Sequence, residues 1–227
     1  MKTIWITRTI PGAFRLGELL RQHGFDVLIA PIFDIVPLSQ PVPTTSTNLW
    51  MFLSVHAVEH SIEYSWDRSK PCIGIGTSTT LALQQRGVKA EQPQCASSEG
   101  LFEFVCKQYR PPLTITLVTG KSGREDLAQW LREEGFQVQY WYVYERRLQP
   151  HPNFKNMIDT IVVLNAACLG PVRSAMTSQP QHFCLPIKLV VPSERIATQA
   201  RLQGFEFVEL STDAADVSVL QALQRLS

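Results

Sequence analysis

Two stretches of this chain spell the same strand–helix–strand pattern, and a repeat of that kind leaves few folds open. The run from Leu117 to Arg147 reads LVTGKSGREDLAQWLREEGFQVQYWYVYERR. An apolar strand ending at Thr119 leads into a polar turn, where Ser122 and Glu125 have the spacing of a capping box. Leu127, Trp130 and Leu131 then share one helical face, with Arg132, Glu133 and Glu134 turned away from it. Gly135 suits a left-handed stop, and a second strand follows. The N-terminus repeats this unit with one residue of gap, setting Leu16, Leu20, Gly24, Phe25 and Val27 against Leu127, Leu131, Gly135, Phe136 and Val138. A weaker echo pairs Gly76, Leu81, Gly87 and Leu101 with Pro192, Ala197, Gly204 and Val217. A doubled βα array builds parallel sheets covered by helices on both faces, so the expected fold is α/β, in two flavodoxin-like lobes.

How the pieces divide between the lobes is less constrained. At 227 residues the chain can make one large domain or two small ones, and the repeat favours two. The first 37 residues are too few to bury a core alone. Contiguous halves split near Pro112 are one solution. In the other, the chain crosses between lobes at both proline joints, PLSQP and LQPHP, so that residues 1–37 join 148–227 around a lobe of 38–147. The equivalent placement of the two joints favours crossing.

Composition narrows the function classes. With 44% hydrophobic and 18% charged residues this is an ordinary globular chain, and a net charge of +1 offers no general field for nucleic acid. An anionic ligand must therefore be gripped locally. The N-terminus lacks a signal-like apolar stretch and no run approaches membrane-spanning length, so a cytoplasmic protein without a membrane or nucleic-acid partner is expected, acting as a monomer. Five cysteines, with no C-x-x-C pair, read as reduced and mostly buried thiols.

Ligands in parallel α/β sheets bind beyond the carboxyl ends of strands, where helix N-termini expose free N–H groups. Six turns qualify here: Thr7-Arg8-Thr9, Ser54-Val55-His56, Thr77-Ser78-Thr79, Gly120 to Arg124, Asn165-Ala166-Ala167 and Pro192-Ser193-Glu194. Most are small and hydroxylic, which suits carboxylate or phosphate binding. Helix capping is the better explanation of any one of them, and only the six together point to a ligand. Sharper motifs fall short. GKSG lacks the earlier glycine of a phosphate-binding loop, that position being Ile115, and Gly74-Ile75-Gly76 reaches Thr79 where a dinucleotide fingerprint needs a third glycine. His56-Ala57-Val58-Glu59-His60 fits the H-x-x-E-H pattern of a zinc-peptidase helix. It has no evident third ligand and no histidine in its partner copy, so it reads as two solvated histidines, and no metal is expected.

Taken together and in order, the turns resemble the uroporphyrinogen-III synthase family over essentially the whole chain. The resemblance rests on ITR (Ile6 to Arg8), FLSVHAV (Phe52 to Val58), IGTST (Ile75 to Thr79), SSEGL (Ser97 to Leu101), TGKSGREDL (Thr119 to Leu127), VYERR (Val143 to Arg147) and VPSERIA (Val191 to Ala197). It implies two lobes joined by a two-stranded linker and an enzyme that needs no cofactor. The implied substrate is hydroxymethylbilane, a linear tetrapyrrole with eight carboxylates, closed to uroporphyrinogen III with inversion of its last ring and loss of water. The family's tyrosine falls on Tyr144, beside the departing hydroxyl. Arg8, Ser54, Thr77, Thr79, Gly120, Lys121, Arg124, Asn165 and Ser193 carry over as substrate contacts. Two turns depart from the pattern: Asn165 brings an amide where a hydroxyl is expected, and Glu194 puts an acid next to Ser193. The competing class is a non-catalytic two-lobed binding or sensor module.

Overall fold

Strand β1 (Thr3–Ile6) shows the plan of the molecule in four residues. All four are buried, with Ile4 and Ile6 packing into one apolar cluster and Trp5 into another on the opposite face. A strand buried on both faces belongs to the middle of a three-layer sandwich. The computed structural model describes residues 3–121 and 125–226. The chain divides into two compact units, Met1–Asp34 with Arg147–Ser227, and Ile35–Arg146.

In the first unit, the sheet runs β10 (Phe207–Leu210), β9 (Phe183–Val191), β8 (Ile158–Val162), β1 and β2 (Asp26–Ile29), all parallel. Leu16 and Leu20 of α1 (Gly12–Gln22), together with Val219 and Leu223 of α8 (Asp216–Arg225), cover the Ile4 face. Val172 of α6 (Leu169–Ser178) and Ile196 and Ala197 of α7 (Glu194–Leu202) cover the Trp5 face. A short 3-10 turn, Ala166–Cys168, leads into α6.

The second unit repeats the plan with the sheet order β3 (Phe33–Pro37), β7 (Gln137–Leu148), β6 (Thr114–Lys121), β4 (Leu49–Phe52) and β5 (Cys72–Gly74). The pairs from β7 through β5 are parallel. Trp50 and Phe52 alternate with Leu49 and Met51. The first pair packs with α2 (Val55–Ser61) and α3 (Thr77–Gln85), the second with α4 (Ser98–Gln108) and α5 (Asp126–Glu133). Both strands at the unit boundaries, β3 and β7, are neighbours in this sheet. Among the described residues no helix is long and apolar enough to cross a membrane.

The doubled array is visible residue by residue. Leu16, Leu20, Leu127 and Leu131 are all buried, and Gly24 and Gly135 both end their helices at positive φ, +81° and +92°. The weaker echo is looser, since Leu81 and Val217 are both exposed.

Three expectations need correction. The helix expected to open on a Ser122/Glu125 capping box starts at Asp126, with Glu125 at its N-cap in helical conformation and no side-chain cap; Ser122 itself lies outside the described residues. The stretch from Val88 to Pro93, which the sequence allows as a short strand, makes only one isolated bridge, Ile73 to Glu91, and no strand. Cys72 and Cys168 are buried but Cys95 is exposed and Cys106 and Cys184 are half-buried, so most of the thiols are not buried. Burial, aided by nearby Asp67, pushes the Cys72 thiol up to about 12.

Truncating a buried core side chain leaves a cavity and costs about 2–5 kcal/mol. Leu131→Ala is expected to lower unfolding free energy by that amount in urea denaturation. Leu202→Ala, at a residue 82% exposed, is expected to change it by less than about 0.5 kcal/mol.

Candidate functional site

Each sheet reverses its winding where one connection leaves to the left and the next to the right. In the second unit this point lies between β4 and β6, and the carboxyl ends of those strands deliver Ser54 and Gly120. The pairing of β6 with β7 slips by one residue here: Thr119 faces Tyr142, but Gly120 faces Tyr144, leaving Val143 as the extra residue of a bulge. Bulges re-aim side chains. As a result Val143 and Tyr144, though consecutive, are both buried in the same apolar cluster.

Gly120 makes room for the tyrosine ring. A Cβ at this position would stand 2.5 Å from both Cε2 and Cζ of Tyr144, a separation no real contact tolerates. The ring therefore packs directly against bare backbone. Its hydroxyl is 3.1 Å from Ser54 Oγ, which also accepts the Ala57 N–H at 3.0 Å as the N-cap of α2. Since Ser54 Oγ takes the amide proton on a lone pair, its own O–H is available to the phenol oxygen, and the phenol proton is then available to another acceptor. Tyr144 is 3% exposed, so the phenol is held and not swinging.

Two imidazoles flank it. The His56 ring meets Tyr144 edge-on at 5.7 Å between centroids and His60 meets it tilted at 6.2 Å. His56 Nδ1 is 3.1 Å from Glu59 Oε2. Burial lowers the His56 pKa, with the Glu59 contact working the other way. These histidines are half-buried, not the solvated pair expected from sequence.

The other expected residues are placed as follows. Thr79 is buried and Thr77 exposed at the start of α3, where Thr77 Oγ1 accepts from Gln92 Nε2 at 3.3 Å. Lys121 is exposed at the end of β6, and Arg124 lies outside the described residues. In the first unit, Arg8 donates to Asp216 Oδ1 at 2.7 Å, and Arg15 Nε reaches the other oxygen at 3.3 Å. Burial works against the Arg8 charge and Asp216 offsets it. Asn165 Oδ1 accepts the Ala167 N–H at 3.0 Å, so this amide caps its turn. Ser193 makes no side-chain cap, and Glu194 is paired with Arg201 at 2.5 Å. Thus Ser54, Gly120 and Tyr144 come together, while Arg8 is joined to Asp216, a residue no sequence motif had singled out.

A family model described as uroporphyrinogen-III synthase HemD matches residues 15–211. The chain belongs to the uroporphyrinogen-III synthase family. Its relatives include the uroporphyrinogen-III synthases of Escherichia coli, 26% identical over 98% of this chain and 100% of the relative, and of Salmonella typhimurium, 27% identical over the same shares. Among solved structures, the uroporphyrinogen-III synthetase of Helicobacter pylori aligns with a TM-score of 0.67 at 15% identity, covering all of both chains. A mutant uroporphyrinogen III synthase of Thermus thermophilus aligns at 0.63 and 14%, over 99% of this chain and 98% of that one. At those identities the structures speak for the fold, and the family match for the class of protein. A non-catalytic sensor module is correspondingly disfavoured.

Because Tyr144 rests on a bare glycine, Gly120→Ala is expected to force the ring aside and cost about 1–3 kcal/mol of stability. Gly170→Ala, where an added Cβ meets nothing within 4 Å, is expected to leave stability unchanged or slightly raised. Thermal denaturation of the two variants separates these outcomes.

Proposed function

We propose that the chain closes hydroxymethylbilane to uroporphyrinogen III, with inversion of the last pyrrole ring and release of one water, as a cofactor-independent hydro-lyase. The observation that carries this reading is the Ser54–Tyr144 hydroxyl pair, seated on Gly120 at the switch point of the second unit's sheet in a chain of this family. No electrons are gained or lost overall, and the pyrroles supply the nucleophile. Proton delivery and geometry are what a protein must add.

In this reading Tyr144 donates a hydrogen bond or proton to the substrate hydroxyl, which leaves as water and creates an azafulvene cation. Ser54 donates to the phenol oxygen as its proton is committed outward, which steadies the developing negative charge. The substituted carbon of the last ring attacks the cation to give a spiro intermediate. Fragmentation gives a second azafulvene cation, reclosure forms the final carbon–carbon bond, and loss of the proton from the attacked pyrrole carbon restores the phenol and gives the inverted macrocycle. Simple closure without inversion is the easier path, so holding the last ring in the spiro-forming orientation is the main catalytic burden.

The eight carboxylates of the substrate call for donors. Arg8 offers a guanidinium already oriented by Asp216. Thr77, Thr79, Lys121, Arg124, Asn165 and Ser193 offer further hydroxyl, amide or cationic contacts, and Gly120 a backbone without side-chain bulk. A net charge of +1 offers no long-range field for nucleic acid, and in this reading the chain works as a monomer on a small molecule in the cytoplasm.

The test is incubation of the purified chain with freshly prepared hydroxymethylbilane, with a metal chelator and no added cofactor, followed by separation of the oxidised isomers. Formation of the type III isomer is expected; type I alone overturns the reading. In the same assay Tyr144→Phe is expected to lower turnover at least about tenfold while its thermal denaturation stays close to that of the parent. Unchanged turnover removes the phenol from the mechanism.

A further inference from the structure

The H-x-x-E-H run on α2 has more structure than two histidines on a wet helix. Positions 56, 59 and 60 lie one turn apart along the same helical face, so all three side chains project to one side. Candidate ligand atoms from His56, Glu59 and His60 all lie within 4.8 Å of one another, the only such trio of His, Cys, Asp or Glu among the described residues. Adjacent ligands of a four-coordinate zinc ion sit roughly 3.3 Å apart, given metal–ligand bonds of about 2.0–2.1 Å. His56 and Glu59 are already at 3.1 Å, and the His60 ligand atom lies within 4.8 Å of both.

Second, the imidazoles are not free to disperse. Tyr144 packs against both rings, and its own position is fixed by Gly120 and Ser54. Ser54 also caps the helix that carries the trio. The side chains of His56 and Glu59 are 16% and 32% exposed, shielded enough to be ordered and open enough for an ion to enter. Preorganisation of this kind reduces the entropy lost on binding.

We propose that His56, Glu59 and His60 form a binding site for one divalent transition-metal ion of the zinc class. Two imidazoles and one carboxylate suit zinc, cobalt or nickel, and do not suit magnesium or calcium, which take oxygen donors. Three protein ligands from one helix face leave the remaining positions to water. Arg146, within electrostatic reach of His56, works against a bound cation, and the Glu59 carboxylate offsets it. The site differs from a peptidase centre in that Glu59 serves as a ligand, not a base. It does not depend on the reaction assigned above, because it is read by metal binding alone.

The experiment is titration of the full chain, reduced and metal-free, with Co²⁺ near neutral pH, followed by visible absorption and by equilibrium dialysis. One equivalent is expected to bind at micromolar concentration, with ligand-field bands of nitrogen and oxygen donors and no thiolate charge-transfer band. His60→Gln is expected to weaken binding by about tenfold or more, and Glu59→Gln by a smaller factor, with unchanged circular dichroism. His23→Gln, which removes an imidazole elsewhere on the surface, is expected to bind as the parent does. Equal affinity in His60→Gln and the parent, a thiolate spectrum, or no binding at micromolar Co²⁺ would each overturn the site.

Discussion

One missing methyl group and one extra residue decide where the Tyr144 phenol sits. The bulge at Val143 advances β7 by a residue against β6, so that Tyr144 is brought opposite Gly120 and not to the next position along. The absent Cβ of Gly120 then lets the aromatic ring settle on the strand backbone, within hydrogen-bond range of Ser54. Neither device works alone. Without the bulge the tyrosine points to the other face of the sheet, because side chains alternate with a period of two. With any other residue at 120 the ring is pushed off the strand.

That constraint explains an asymmetry between the two copies of the repeat. The turn after β4 in one copy presents Ser54, whose hydroxyl caps its helix and still reaches a phenol. Its counterpart after β8 presents Asn165, whose side-chain oxygen accepts the Ala167 amide and stabilises the 3-10 turn. In the first unit the corresponding strand end after β1 presents Arg8, paired in a partly buried position with Asp216 at the start of the last helix. The duplicated frame is retained, while the side chains at its strand ends make different contacts.

The frame was legible because it depends on periodic, local signals. Alternating apolar residues and helix-ending glycines marked both lobes, and Gly24, Gly87, Gly135 and Gly204 all adopt the positive φ that such stops require. The strand inferred after Val88 was not realised, since that stretch engages its neighbour through a single bridge. The site was legible only in part. Ser54 and Tyr144 stood out through family likeness, yet their contact spans 90 positions and depends on a bulge that nothing in YVYER announces. Asp216 lies 208 positions from Arg8, beyond any local pattern. His56 and His60 were noticed as a motif but read as solvated, because sequence cannot show that a tyrosine from another strand packs against them.

The central claim is that the phenol of Tyr144 and the hydroxyl of Ser54 act as one unit. A double-mutant cycle on hydroxymethylbilane turnover, built from the parent, Ser54→Ala, Tyr144→Phe and the double variant, measures that directly. If the pair is coupled, removing the phenol hydroxyl costs far less once Ser54 is already alanine, and the double variant is little slower than Tyr144→Phe alone. Multiplication of the two single effects in the double variant would contradict the account, because the two groups would then be contributing independently.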